Sequence, residues 1–399
     1  MTQLSFVDLA YPGAKHSRFE HALGVMHLCG RFGEHLRVNQ HINSEEVRLL
    51  RLAGLLHDIG HGPFSHAFEP TFAYQIRKDP EGWVDAHVRW GQQILQESRF
   101  GLAKVLTKHD DLRKISLLIG KGYSKSPVSK DVLTGPFSAD RLDYLRRDAY
   151  HAGAPEYAII DPERIIHGIY PFDNSVGYLA KATYALEGAI LSYFFMYRAL
   201  YYHHVARAAN LLFDKACWLA FGSGGLKVNL DDPEFYFEFT DRKLLSLLLS
   251  LENRNEESKQ LIRLLLMRRL PKRILDERDL TTYGDLWKKL STTIQDHPTK
   301  HQIEAQIKGK IGHDVYIDTP YLIPYPPPGD DPTIIPNEQD PYKNYLLSSS
   351  SPTLTGLRGL GGYPIPRVYV PRDQIPEKAL EMTKFKEKIL NTIIQTLQQ

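Results

Sequence analysis

Cysteine is nearly missing. Cys29 and Cys217 are the two in 399 residues, both inside stretches with helical apolar spacing, which excludes a disulfide framework and a thiolate metal site and favours a reducing compartment. Charge of one sign is lacking too. Lys and Arg number 49 against 47 Asp and Glu, a formal net charge of +2, so the chain has none of the basic excess of a dedicated nucleic-acid binder, and only a local groove for a single strand is left open. No apolar run approaches the roughly 20 residues of a membrane-spanning helix, so no membrane partner is expected. The start, "MTQLSFVDLAYPGAKHSRF", shows no basic, then apolar, then small-residue pattern of a secretory signal. A cytoplasmic protein is the expectation, and no internal repeat is evident.

What is present is a globular composition, 42% hydrophobic and 11% aromatic, in a chain long enough for two or more cores. Residues 17–36 and 45–58 carry apolar positions at helical spacing, and "SEEVRLLRLAGLLHDIG" opens with Ser44 as N-cap before two glutamates. Helices are expected over 86–98, 101–107, 110–119 and 138–150, with "SKSPVSKDVLTGP" (124–136) as a loop. Residues 178–221 are apolar around much of a helical circumference and predict one long buried helix. Charged amphipathic helices follow from 234 to 306, broken at Pro271. After residue 313 come a short β-prone run, a proline-dense stretch, "PIPRVYVP" (364–371) and a final amphipathic helix over 376–398. The expected fold is mainly α, divided into a helical core (1–225), a further helical lobe (226–312) and a small α+β region (313–399) suited to oligomerisation or regulation.

Histidines crowd two stretches, "RFEHALGVMHLCG" (18–30) and "LLHDIGHGPFSHAFE" (55–69), which hold His21, His27, His57, His61 and His66 with Glu20, Asp58 and Glu69 between them. His57 and Asp58 are adjacent and point about 100° apart on a helix, so one ion reaches both only over the helix edge. His61 follows His57 at i+4. A second helix can bring His21 to the same ion, and a further carboxylate completes a mixed nitrogen and oxygen shell of the kind Mn, Fe, Zn, Ni or Mg accepts. In "SADRLDYLRRDAYHAG" (138–153), Asp140, Tyr144 and Asp148 recur at i, i+4 and i+8 and so share one helical face, with Asp140 placed as ligand and the other two towards a substrate. His27 reads as packing or capping. His203 and His204 read as a helix-surface pair, and "GKGYSK" (120–125) lacks the strand and ending of a phosphate-binding P-loop.

Together "RFEH", "HDIGHGPFSH" and "DRLDYLRRD" resemble the signature of the HD-domain phosphohydrolases, in the deoxynucleoside triphosphate triphosphohydrolase branch. About half the chain carries the likeness strongly, as an HD-domain helical core. The resemblance implies one divalent metal ion per subunit, held by His21, His57, Asp58 and Asp140. It implies cleavage between the 5′ oxygen and the α-phosphorus of a deoxynucleoside triphosphate, with His66 as general acid oriented by Glu69, where similar proteins often have Asp. His61 and His87 are implied to bind or polarise phosphates, although Val88 stands where similar proteins place an acidic residue after this His. Gln3, Arg18, Arg141, Tyr144, Asp148 and Tyr201 are implied substrate contacts: Gln3 and Asp148 at the sugar 3′ hydroxyl, Arg18 and Arg141 on phosphates, Tyr144 against the sugar and Tyr201 as a wall. Relatives also assemble as homodimers or homotetramers, some with activating nucleotides between subunits, and carry several tens more residues before Gln3. Two other functions are weighed beside this one, a broader HD phosphohydrolase acting on monophosphates, oligonucleotides or alarmones, and a nucleotide-responsive interaction protein with an idle site.

Overall fold

The computed structural model describes residues 1–78, 86–106, 109–120, 127–173, 175–251, 255–278, 284–326 and 331–398. Most of them are helical. The first helix, α1 (Arg18–Val38), opens with a capping box in which the Ser17 hydroxyl accepts from Glu20 N–H and the Glu20 carboxylate accepts from Ser17 N–H. Glu20 is therefore a cap and not a ligand. The second, α2 (Ser44–Leu56), is capped in the same way by Asn43 and Glu46. The cap is thus one residue earlier than Ser44, because Asn43 has the carboxyl-bearing residue three positions on that completes the box.

Further along come α3 (Ala86–Gln96), short helices over Leu102–Val105, His109–Ile119 and Pro127–Thr134, and α4 (Ala139–Ala152). The expected loop at 124–136 is largely helix: Pro127 takes the first helical position, where its missing N–H costs nothing. Residues 124–126, and 121–125 of the glycine–lysine loop, lie outside the described residues. Ser138 caps α4 through Arg141 N–H, and Gly153, with φ +69°, ends it in the left-handed conformation that glycine adopts without strain.

The single helix expected over 178–221 is not formed. The segment begins in a strand, continues as α5 (Thr183–Met196), widens into a π-helical turn at Tyr197–Tyr201 and restarts as α6 (His204–Gly222). His203 makes the break, because it is extended (φ −60°, ψ 129°) and its ring accepts the Val205 N–H as an N-cap. Both helices bury apolar residues, so hydrophobic periodicity runs through the interruption without registering it.

Seven of the nine strands among the described residues, β1 (Ile169–Phe172), β2 (Ser175–Leu179), β3 (Lys272–Leu275), β4 (Tyr316–Asp318), β5 (Thr333–Ile335), β6 (Tyr345–Leu346) and β7 (Arg367–Val370), build two sheets in the orders β1-β2-β5-β6 and β3-β7-β4, and the short runs Tyr321–Leu322 and Tyr363–Pro364 pair as a third. These pairings explain the division of the chain into two compact units, neither of them continuous. The first comprises Met1–Leu200, Val228–Lys243 and Ile323–Gly361, and the second Tyr201–Lys227, Leu244–Leu322 and Gly362–Gln399. They do not follow the boundaries at 225 and 312. β5 runs parallel to β2, so the proline-dense stretch returns to the first unit, whereas β7 lies between β3 and β4 in the second.

In the first unit Val25, Cys29 and Phe32 of α1 pack on Leu49, Leu50 and Ala53 of α2, in a core that also takes Ile334, Leu347 and Leu354 from the returning segment. The core of the second gathers Trp287, Val368 and Val370 with Ile303 and Ile307 of α7 (His297–Ile311) and Ile389 and Ile393 of α8 (Ala379–Gln398). No helix among the described residues is long and apolar enough to cross a membrane.

Candidate metal centre and active site

Close contact of α1 and α2 places the first two histidines. A Cβ on Gly54 would meet Cys29 Sγ at 2.9 Å and Val25 O at 3.1 Å, so only glycine lets the helices approach this far. His57 follows one turn later, its Nδ1 bonded to Gly54 O at 2.8 Å, which turns Nε2 outward. There Nε2 is buried and makes no hydrogen bond. Such an atom needs a partner.

His21, Asp58 and Asp140 surround it. His57 Nε2 lies 3.2 Å from Asp58 Oδ1 and 3.6 Å from Asp140 Oδ1, and His21 Nε2 lies 3.1 Å from Asp140 Oδ1 and 3.9 Å from Asp58 Oδ2. His21, His57 and Asp140 offer atoms within 4.8 Å of one another, with Asp58 beside them, a mixed nitrogen and oxygen set that fits a divalent cation. Burial works against charge on Asp58, yet His57, Arg18 and His61 around it hold its carboxyl well below the usual range. The carboxylate of Asp140 is held low too, against burial, by His21 and His57. Both carboxylates are therefore in their donor form; burial lowers the pKa of His21 and His57, but the neighbouring carboxylates outweigh it and raise both, so a binding cation competes with protons on these rings.

A neighbouring carboxylate orients His21. Asp143 Oδ2 accepts from His21 Nδ1 at 2.8 Å and is itself gripped by Arg147 at 2.8 and 2.9 Å, the outer support that fixes a ligand ring. Pattern reading passed over Asp143 because it lies off the i, i+4, i+8 face of Asp140; its signal was an acid–Arg pair at i, i+4 in the same helix.

Beside these four side chains stands a second group. Glu69 is 5% exposed, and its two oxygens serve two rings: Oε2 accepts from His66 Nδ1 at 2.6 Å, and Oε1 takes His87 Nδ1. The acidic partner absent after His87 is thus supplied from Glu69. His61 stacks on His87 with centroids 4.0 Å apart and reaches both groups, Nε2 at 3.5 Å from Asp58 and Nδ1 at 3.7 Å from Glu69. Burial, then Arg18, keeps the His61 pKa well below the usual imidazole value, so this ring is neutral. For His66 the Glu69 charge leads and raises the pKa. The imidazole side chain is 71% exposed, open to an incoming molecule. These four residues offer atoms within 4.8 Å of one another, close enough to hold an ion as well. The two Nδ1 atoms committed to Glu69 favour proton and phosphate handling instead.

The loop that carries His66 is strained. Phe64 and Ser65 have φ of 55° and 51°, sparsely populated for residues with a Cβ, and such strain persists where surroundings over-determine it. Here they do: Phe64 N–H donates to Asp241 Oδ1 at 2.8 Å, Asp241 Oδ2 also takes Thr2 N–H, Ser5 Oγ donates to Phe64 O, and Phe6 stacks on the Phe64 ring. His66 and Glu69 consequently sit on a 3-10 turn (Ser65–Ala67) and the helical turn after it rather than on one helix. Nothing near residue 241 in the sequence signalled this anchor.

Other expected contacts fall into place unevenly. Arg18 is 8% exposed, donates from Nε to Ser65 Oγ at 2.7 Å and pairs through Nη1 with Asp58. Tyr144 faces His21 edge-on at 6.4 Å between rings, and Arg141 stacks on Tyr193 at 5.0 Å while donating to Pro136 O. Asp148 is buried and bonded at 2.7 Å to His16 Nε2, a partner not foreseen. Gln3 lies next to His16 through a backbone bond, its Oε1 buried without a hydrogen bond. Tyr201 closes the π-helical turn and belongs to the second unit, not to a long helix of the first.

Residues 18–132 match the HD domain, and residues 160–323 match the HD associated region. The chain is an HD-domain protein. It is homologous to the SAMHD1-type deoxynucleoside triphosphate triphosphohydrolases, among them the SAMHD1 homolog of Dictyostelium discoideum, 29% identical over 295 residues covering 72% of this chain and 56% of that protein. An uncharacterized protein of Methanocaldococcus jannaschii is also 29% identical, over 335 residues, 81% of this chain and 62% of that one. The chain thus spans less than two-thirds of either relative. A solved structure of a hypothetical protein from Aquifex aeolicus has the same fold, with a TM-score of 0.71 at 24% identity, covering 94% of this chain and 88% of the other.

Proposed function

We propose that this HD domain hydrolyses deoxynucleoside triphosphates to deoxynucleoside and inorganic triphosphate. The observation that carries the proposal is the adjacency of two groups, a four-residue cation shell and an exposed His66 backed by Glu69, bridged by His61. A divalent cation held by His21, His57, Asp58 and Asp140 supplies Lewis-acid polarisation of a phosphoryl oxygen and acidifies water. Everything else falls to side chains. Water attacks the α-phosphorus, a new P–O bond forms, and the bond to the 5′ oxygen breaks. His66 gives its proton to the departing 5′ oxygen while its other ring nitrogen stays bonded to Glu69. Neutral His61, His87 and the guanidinium groups of Arg18 and Arg141 steady the triphosphate. Tyr144 lies against the sugar where a 2′ hydroxyl would project, and Gln3 and Asp148 take the 3′ hydroxyl.

Support for deoxynucleotides in particular comes from the activity for which the SAMHD1-type relatives are named. The same reading includes assembly as a homodimer or homotetramer with activating nucleotides between subunits, checked by sedimentation with and without each dNTP. The reaction is tested by incubating the protein with each dNTP, singly and mixed, with Mn, Mg, Fe, Co or Ni, and resolving the products. Deoxynucleoside with triphosphate, lost in Asp58→Ala, supports the reading. Monophosphate products point to a broader phosphohydrolase, and no turnover under any condition points to an idle site.

A further inference from the structure

The second unit holds another cluster of metal-binding side chains, remote in sequence from the HD motif. Asp214 on α6 faces His297 and His301, which stand one turn apart on α7 in "HPTKH". All three are buried and offer ligand atoms within 4.8 Å of one another. His297 Nε2 lies 2.6 Å from Asp214 Oδ1, and His301 Nε2 lies 3.7 Å from Asp214 Oδ2. The His301 atom decides the matter. It is buried, in a residue only 5% exposed, makes no hydrogen bond, and is aimed at the carboxylate from beyond hydrogen-bonding distance.

The rest of the ring's surroundings suits a ligand. His301 Nδ1 faces Glu304 Oε2 at 3.4 Å, the imidazole–carboxylate relay that orients ligating histidines, and Glu304 is itself fixed by Ile317 N–H at 3.0 Å. Trp218, one turn after Asp214, stacks on His301 at 4.9 Å and meets His297 edge-on at 4.8 Å, locking both rings. Two ammonium groups compete. Lys300 Nζ is 2.7 Å from Asp214 Oδ2, and Lys215 Nζ is 3.5 Å from His301 Nδ1. In the metal-free protein Lys300 supplies the positive charge that the buried carboxylate requires, as an ion would when bound.

We propose that Asp214, His297 and His301 form a second divalent-metal site with zinc-type ligand chemistry, two imidazole nitrogens and one carboxylate with a further position open, which a cation enters by displacing the Lys300 ammonium. Zinc matches a shell rich in imidazole with few oxygens better than magnesium does.

The test uses the full chain and zinc alone. In an Asp58→Asn/Asp140→Asn background, which removes both HD carboxylate ligands, zinc equilibrium dialysis followed by elemental analysis is expected to give about one ion per chain more than the same protein with His301→Gln or His297→Gln added. Glu304→Gln is expected to weaken binding on the order of 10-fold, and Lys300→Met to strengthen it, a gain no folding defect would produce. Cobalt substituted at the same site is expected to show the visible bands of low coordination number. No zinc in the double variant, or zinc unchanged by His301→Gln in protein whose circular dichroism is native, would overturn the proposal.

Discussion

Glu69 serves two rings with one carboxylate, and its length is what allows this. An Asp at 69 would draw back by one methylene and could not be expected to span His66 and His87, whose rings are 5.7 Å apart. Replacing His66 by Ala removes the donor for the 5′ oxygen and is expected to lower kcat about 10²- to 10⁴-fold with little change in metal content, read by steady-state kinetics beside elemental analysis. Glu69→Gln acts through pH. The Glu69 charge raises the His66 pKa, so an acid that must carry its proton works up to a higher pH than an isolated imidazole would. Without that charge the alkaline limb of the kcat profile moves to lower pH; a limb that stays in place would assign the proton to another group. At this scale the sequence was informative wherever chemistry demanded rare residue types. His21, His57, Asp58 and Asp140, picked out by their motifs, lie within a few ångströms of one another. His16 and Asp241 were not legible, because an acid or a His holding a neighbour in place looks like any surface residue until the partner, here well over 100 residues away, is seen.

Among the elements, glycines set the distances. A Cβ on Gly60 would fall 2.0 Å from His87 O and 2.3 Å from Gly91 N, so this position lets α3 lie directly against the HD turn and bring His87 onto His61. Gly60→Ala is expected to destabilise the protein by about 1–3 kcal/mol through overpacking and to reduce activity more than the lost stability explains. Thermal melting alongside kinetics below the melting range separates the two effects. Helices were readable where one face is apolar, as α1, α2 and α4 show. The break between α5 and α6 was not, since burial on both sides of His203 hides a stop made by a ring nitrogen capping one N–H. The helix over Pro127–Thr134 was hidden by the opposite cause, turn-forming residues occupying a helix's opening position.

Across the whole molecule, long-range pairing was the least legible feature, because β5 could have joined any open edge and nothing local in "DPTIIPN" names β2 as its neighbour. That pairing makes a strong prediction. A chain ended after residue 322 loses β5, β6, and Ile334, Leu347 and Leu354 from the core of the first unit. It is expected to be insoluble or to melt without cooperativity although every HD motif is present, as differential scanning calorimetry would show; a sharp transition like that of the full chain would refute the core assignment.

The interleaving also has a temporal side. A ribosome delivers the HD helices first, but the strand that completes their unit is translated after residue 330, and Gly361, its last residue, comes 38 positions before the end of this chain. At about 5–20 residues per second, the histidines stand among unfinished helices for many seconds. Ions and chaperones can therefore meet a nascent site before its core has closed.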